Sequence, residues 1–133
     1  MGIKRDSSDK WFSDAVRHRA NYCCEHCHKG FEGLVQGFEC CHIYGRANKS
    51  TRWSADNAVA LCGGCHRHFT EHPLAFHDFL LEHLGQGHLD LLREKKNSIL
   101  KTNRTLRLEI AKHYRSEFRR MGEERATDLV SWN

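Results

Sequence analysis

Two pairs of cysteines carry the clearest chemistry in this chain. Cys24 and Cys27 stand in Cys-x2-Cys spacing, as do Cys62 and Cys65, and 34 residues separate the pairs. Two such pairs can close a tetrahedral four-sulfur site, and zinc suits it: the ion is borderline-soft, redox-inert and content with Zn–S distances of about 2.3 Å. Cys23 competes with Cys24, but only Cys24 keeps the two-residue spacing to Cys27. The cysteines number seven, an odd count, and the opening MGIKRDSSDK lacks the apolar stretch of a secretory leader. Reduced, metal-holding cysteines are therefore favoured over disulfides, and the chain reads as cytosolic. Met1-Gly2 opens like a myristoylation signal, but Asp6 stands where that signal requires Ser or Thr.

The stretch from Cys40 to His72, CCHIYGRANKSTRWSADNAVALCGGCHRHFTEH, adds a second constellation. The order His42, Asn57, His66 resembles that of the HNH nucleases, whose hydrolysis of phosphodiesters needs a base to activate water, a cation to offset charge on the phosphate and leaving oxygen, and groups that hold both. His42 is the candidate base, because an imidazole with a pKa near ~6.5 accepts a proton at neutral pH. Asn57 is placed to orient that imidazole or the intervening loop. The loop itself, Ile43 to Asp56, is 14 residues long and carries Arg46, Lys49 and Arg52 as candidate phosphate contacts. Trp53 could stack on a base or plug the core, and the plug is the favoured reading. Of eleven histidines, seven fall between His26 and His77. His18, His83, His88 and His113 read as surface or helix-face residues.

A His closing one strand, an Asn before the next and a last His opening a helix resembles the HNH, or ββα-metal, nucleases. Within that group, CHIYGRANKSTRWSADNAVALCGGCH, preceded by WFSDAVRHRANYCCEHCHKGF and followed by Phe69 and Pro73, looks like the phage recombination nucleases of the NinG (Rap) type. The resemblance spans residues 11 to about 92. It implies a phage-encoded, metal-dependent DNA endonuclease in the host-cell cytoplasm, acting on branched recombination intermediates in the NinG case and leaving 5′-phosphate products. By position it gives the base role to His42, the orienting role to Asn57, ligation of a catalytic cation to His66 and structural zinc to Cys24, Cys27, Cys62 and Cys65. Cys41 stands where HNH enzymes commonly carry Asp or His. As the first ligand of the catalytic cation it would pair a thiolate with an imidazole and favour Mn²⁺, Co²⁺, Ni²⁺ or Zn²⁺ over Mg²⁺. Side chains alternate along a strand, so Cys40 is the alternative neighbour of His42, and His66 would then share the cation with His42 or His72.

These groups need elements to position them. Trp11, Phe12, Ala15 and Val16 predict a helix over residues 9–20, capped by Ser7, Ser8 or Asp9, with Arg17 and Arg19 facing phosphate or solvent. Lys29 to Gly37 reads as loop, and Leu34-Val35 with Phe38–Cys41 as a short hairpin. His72-Pro73 starts a helix that Gly85 ends. A short helix follows from Leu89 to Lys96. The last helix runs from about Thr102 to Arg125, and its stripe of Leu106, Ile110, Tyr114, Phe118 and Met121 packs on the domain or on a second copy. Its Arg104, Arg107, Lys112, Arg115, Arg119 and Arg120 form a DNA-facing or solvated side.

With 133 residues, 39% apolar, the chain makes one small domain whose modest core needs a staple. A net charge of +4 and a pI near 8.7 permit a polyanionic partner. No run approaches the ~20 apolar residues of a membrane span. The expectation is an α+β, zinc-stapled ββα-metal domain over residues 11–98, with a flexible segment at 1–10 and a helical extension at 99–133. Its function is expected to be DNA cleavage. The rivals are a non-catalytic zinc-knuckle DNA-binding module and a structural zinc domain that binds protein partners.

Overall fold

Asp6 starts the first helix. Its carboxylate accepts a hydrogen bond from the Ser8 amide at 3.0 Å, and Asp9 returns the favour to the Asp6 amide at 3.0 Å, a capping box that nucleates α1 (Ser7–Arg19). The computed structural model describes residues 3–133; Met1-Gly2, the opening tested against a lipidation signal, lies outside them. The segment expected to be flexible through residue 10 is thus helical from Ser7.

Among the described residues the chain is α+β, with six α-helices and one two-stranded sheet. After α1 come β1 (Phe38–His42), α2 (Lys49–Arg52), a 3₁₀ turn (Ala55–Asn57), β2 (Ala58–Cys62), α3 (Gly63–Glu71), α4 (Pro73–Leu84), α5 (Gln86–Lys96) and α6 (Arg104–Glu124). Strands β1 and β2 are antiparallel, pairing Phe38 with Cys62, Cys40 with Ala60 and His42 with Ala58. The expected pairing of Leu34-Val35 with Phe38–Cys41 does not form, and Leu34 and Val35 are exposed. The wholly apolar Ala58–Cys62 offers β1 five partners in register and complete burial, which a two-residue strand cannot match. The loop from Ile43 to Asp56 is not structureless either: α2 and the 3₁₀ turn lie within it.

Alternation along the strands divides the core in two. Phe38, Ala58 and Ala60 join Phe12, Val16, Trp53, Ile110, Tyr114 and Met121 on one face. Cys41, Val59 and Leu61 join Cys24, Phe69, Leu80 and Leu89 on the other. Helix α6 packs along α1 and shares its core, so residues 99–133 are built into the domain rather than appended to it. The apolar stripe of α6 finds its partner within the chain; Leu106 and Phe118 are its partly buried margins. The tail then folds back: Ser131 Oγ accepts from the Ala55 amide at 2.9 Å, and Asn133 Nδ2 donates to the Ser50 carbonyl at 3.0 Å. Trp53, the plug, is 1% exposed and donates from Nε1 to Ser8 Oγ at 2.9 Å. No helix among the described residues is long and apolar enough to cross a membrane.

Candidate metal centre and cleft

The Cys24–Cys27 turn is held by backbone hydrogen bonds from Cys24 N to the Lys29 carbonyl and from His28 N to the Cys24 carbonyl, with His28 at a φ of +66°. Glu25 docks this turn on β2: its amide donates to the Ala60 carbonyl at 2.8 Å and its carboxylate accepts from the Ala60 amide at 2.5 Å. At the far end of β2, Cys62 caps α3, and its Sγ accepts from the Cys65 amide at 3.4 Å; Cys24 Sγ accepts from the Cys27 amide at 3.5 Å. All four sulfur atoms lie within 4.8 Å of one another. The Cys27 and Cys62 sulfurs are 3.7 Å apart. Four sulfurs at about 2.3 Å from a central zinc would be separated by about 3.8 Å, so the donor set fits a tetrahedral ion such as zinc.

The four thiols do not titrate alike. Burial raises the Cys24 thiol, but amide donors from Cys27, Cys62 and His26 outweigh it and bring the pKa down to about 7. Burial, then the neighbouring thiols, push Cys65 the other way. Four thiolates this close repel one another, and a divalent cation removes the conflict. His26 stands beside Cys65 Sγ with its Nδ1 at 3.2 Å and packs edge-on against Phe69 and Phe79. Sequence reasoning assigned it no such role.

A cleft of about 370 Å³ opens along the free edge of β1. Arg5, Asp9, Ser13 and Arg17 supply one wall; Glu39, Cys40 and His42 come from the strand, Arg46 from the loop and His66 from the first turns of α3. His42 Nε2 lies 3.0 Å from the Arg52 carbonyl oxygen, which can only accept, so Nε2 carries the proton and Nδ1 keeps the lone pair. Burial, opposed in part by that carbonyl and by Asp9, lowers the His42 pKa below its ordinary value. The imidazole is therefore neutral at pH 7 and able to accept a proton.

The structure sorts the remaining expected site residues. Asn57 is fully buried and does not touch His42: its Oδ1 accepts from the Tyr44 amide at 2.8 Å, while Nδ2 donates to the carbonyls of Tyr44 at 2.9 Å and Thr51 at 3.1 Å. It is a positioning residue for the loop whose Arg52 carbonyl holds His42. Cys41 is corrected outright. It is 5% exposed, sits on the opposite face of the sheet against Val59 and Leu61, and burial pushes its thiol up to about 12. Strand alternation places Cys40, not Cys41, in the cleft with His42.

Arg52 is corrected as a DNA contact. Its side chain is 7% exposed and forms a two-pronged ion pair with Asp9, Nε to Oδ1 at 3.0 Å and Nη2 to Oδ2 at 2.6 Å. Arg46 lines the cleft: it is 32% exposed, 3.9 Å from Asp9, and its buried Nη1 has no hydrogen-bond partner. Lys49 lines a separate depression with Lys4, Thr102 and Arg107. Arg17 and Arg19 donate to sheet and turn carbonyls, Arg17 to Phe38 at 3.2 Å and Arg19 to Ala55 at 2.8 Å and Ala58 at 2.7 Å. On α6, Arg120 is held by Glu117, Glu124 and Asp128, and Arg107 by Asp6, while Lys112, Arg115 and Arg119 line a shallow basic depression. His18, His83, His88 and His113 each make one hydrogen bond, to Tyr22, Glu25, the Asp56 carbonyl and the Val130 carbonyl.

No protein-family model, curated protein or solved structure matches the chain. The functional reading therefore rests on the cage and the cleft. One cleft residue escaped the sequence reading: Glu39 Oε1 lies 2.8 Å from His66 Nδ1. Strand phase gave no signal for it, because Glu39 shares the parity of Cys41; it meets His66 through the approach of α3 to β1.

Proposed function

We propose that this protein is a metal-dependent DNA endonuclease of the HNH type, with zinc in the four-cysteine cage and a second divalent cation in the cleft. The observation that carries the reading is His42, a half-buried imidazole whose pKa burial lowers, with Nε2–H fixed on the Arg52 carbonyl, lining a cleft rimmed by Arg5, Arg17 and Arg46. The order β1, β2, α3, with His42 closing β1 and His66 in the first turns of α3, accords with a ββα-metal unit. His42 Nδ1 takes the proton from a water aligned on a phosphodiester, and Arg5 and Arg46 draw the phosphate in and share its charge. His66 would help hold the cation, which would supply charge neutralisation at the phosphate and at the departing 3′ oxygen. Asn57 and the Asp9–Arg52 pair act on this step only by fixing the loop. Cleavage would leave a 5′-phosphate.

Incubation of zinc-loaded protein with supercoiled plasmid tests the reading. Nicking on addition of Mg²⁺ or Mn²⁺, and none without it, is the expected result. Protein that binds DNA and never nicks under any divalent cation is a zinc-knuckle binding module instead.

A further inference from the structure

We propose that the cation of the cleft is held by Glu39 and His66, a carboxylate oxygen and an imidazole nitrogen, in place of the thiolate that Cys41 would have supplied. The proposal deepens the nuclease reading and rests on it for the role of the cation. Glu39 comes from the free edge of β1 and His66 from α3, and both line the cleft that holds His42. The cage fixes their meeting: Cys65 is a cage residue, His66 follows it directly, and Cys62 pairs with Phe38, next to Glu39. Any ion seated in the cage therefore also sets the spacing of these two side chains.

Their separation suits the chemistry. Two ligand atoms in adjacent positions of an octahedron of radius 2.0–2.1 Å lie roughly 2.9 Å apart, whereas calcium at ~2.4 Å would spread them to about 3.4 Å. Glu39 Oε1 and His66 Nδ1 are 2.8 Å apart. The side chains are 46% and 34% exposed, which leaves the other coordination positions open to water and to phosphate oxygens. Mg²⁺ is commonly bound through one or two carboxylates plus substrate phosphates, and Glu39 supplies one such carboxylate. The other candidate partners of His66 are engaged elsewhere: Cys41 is in the core, and His72 donates from Nδ1 to the His68 carbonyl at 2.9 Å while stacking on the His68 ring. An exposed His–Glu hydrogen bond with no metal function is the competing explanation for the same distance.

Mn²⁺ binding to the zinc-loaded full chain, followed by electron paramagnetic resonance, separates the two. One Mn²⁺ site is expected, displaced by Mg²⁺, with the dissociation constant raised at least about tenfold in Glu39→Gln and in His66→Ala. Glu39→Asp should retain binding, and Cys41→Ser should not alter it. Both altered side chains are exposed, and unchanged zinc content and melting certify the fold. Parent-like Mn²⁺ affinity in Glu39→Gln, or weakened affinity in Cys41→Ser, overturns the proposal whatever the protein does to DNA. If Mn²⁺ binds through Glu39 and His66 but plasmid stays intact, the cation site stands and the nuclease reading falls.

Discussion

The cage and the cleft are about one residue apart in sequence at Cys65 and His66, yet they are built on opposite terms. In the cage every ligand is drawn to its neighbours, the sulfurs lie within 4.8 Å, and amide donors approach them from both turns. In the cleft the chemical groups line an open edge, and each is tethered from behind: His42 by a carbonyl, the loop by Asn57 and by the Asp9–Arg52 pair. Closed coordination serves the fold, whereas groups held from the rear leave their reactive faces to a substrate. A substitution in the cage should therefore damage structure first, and one in the cleft should damage rate or affinity first.

The largest effect should come from emptying the cage. Binding of structural zinc contributes an apparent ~10–16 kcal/mol in small zinc domains at neutral pH, comparable to the whole stability of a domain this size. Cys62→Ser should lose zinc and cooperative melting together. A variant that keeps one zinc per chain and melts like the parent would break the contrast on the structural side.

The two arginines of the loop sharpen it. Arg52→Ala strands a buried Asp9 carboxylate and should cost about 3–5 kcal/mol of stability, read by urea denaturation. Arg46→Ala should leave the urea midpoint nearly unchanged and weaken DNA binding, with the slope of log affinity against log salt shallower by about 0.9 if one phosphate contact is lost. Equal destabilisation by both variants would place Arg46 in the scaffold.

A smaller effect concerns pH. Burial lowers the His42 pKa, so the active neutral form persists below ~6.5, and the acid limb of kcat/KM should fall at a pH under that value. The same sign governs stability: the unfolded chain takes up the proton near ~6.5 and the folded one only at lower pH, so stability declines as pH drops below ~6.5. An acid limb at or above ~6.5 would show that His42 is not the titrating base.

What the sequence disclosed follows from the range of the interactions. The cage was legible because Cys-x2-Cys spacing is a local statement about two tight turns. Helices α4 and α6 were legible from Pro73, Gly85 and the stripe through Tyr114, although the stripe does not say what it packs on; the answer, α1, lies about a hundred residues away. The phase of β1 was left between Cys40 and Cys41, because its two polar residues, Glu39 and His42, have opposite parity and mark no single outer face. Arg52 looked like a phosphate contact because its partner Asp9 is 43 residues upstream. Glu39 was missed for the same reason, its contact with His66 spanning 27 residues.

His42 is expected to work as a base in the cleft without holding the fold. Single-turnover nicking of supercoiled plasmid by zinc-loaded parent and His42→Ala, with excess protein and saturating Mg²⁺ or Mn²⁺, tests it directly, alongside DNA affinity and melting of both. The account predicts a rate lower by about 10²–10⁴ in His42→Ala, with affinity and melting close to the parent. An unchanged nicking rate, or a loss of rate matched by loss of binding and of cooperative melting, would contradict it.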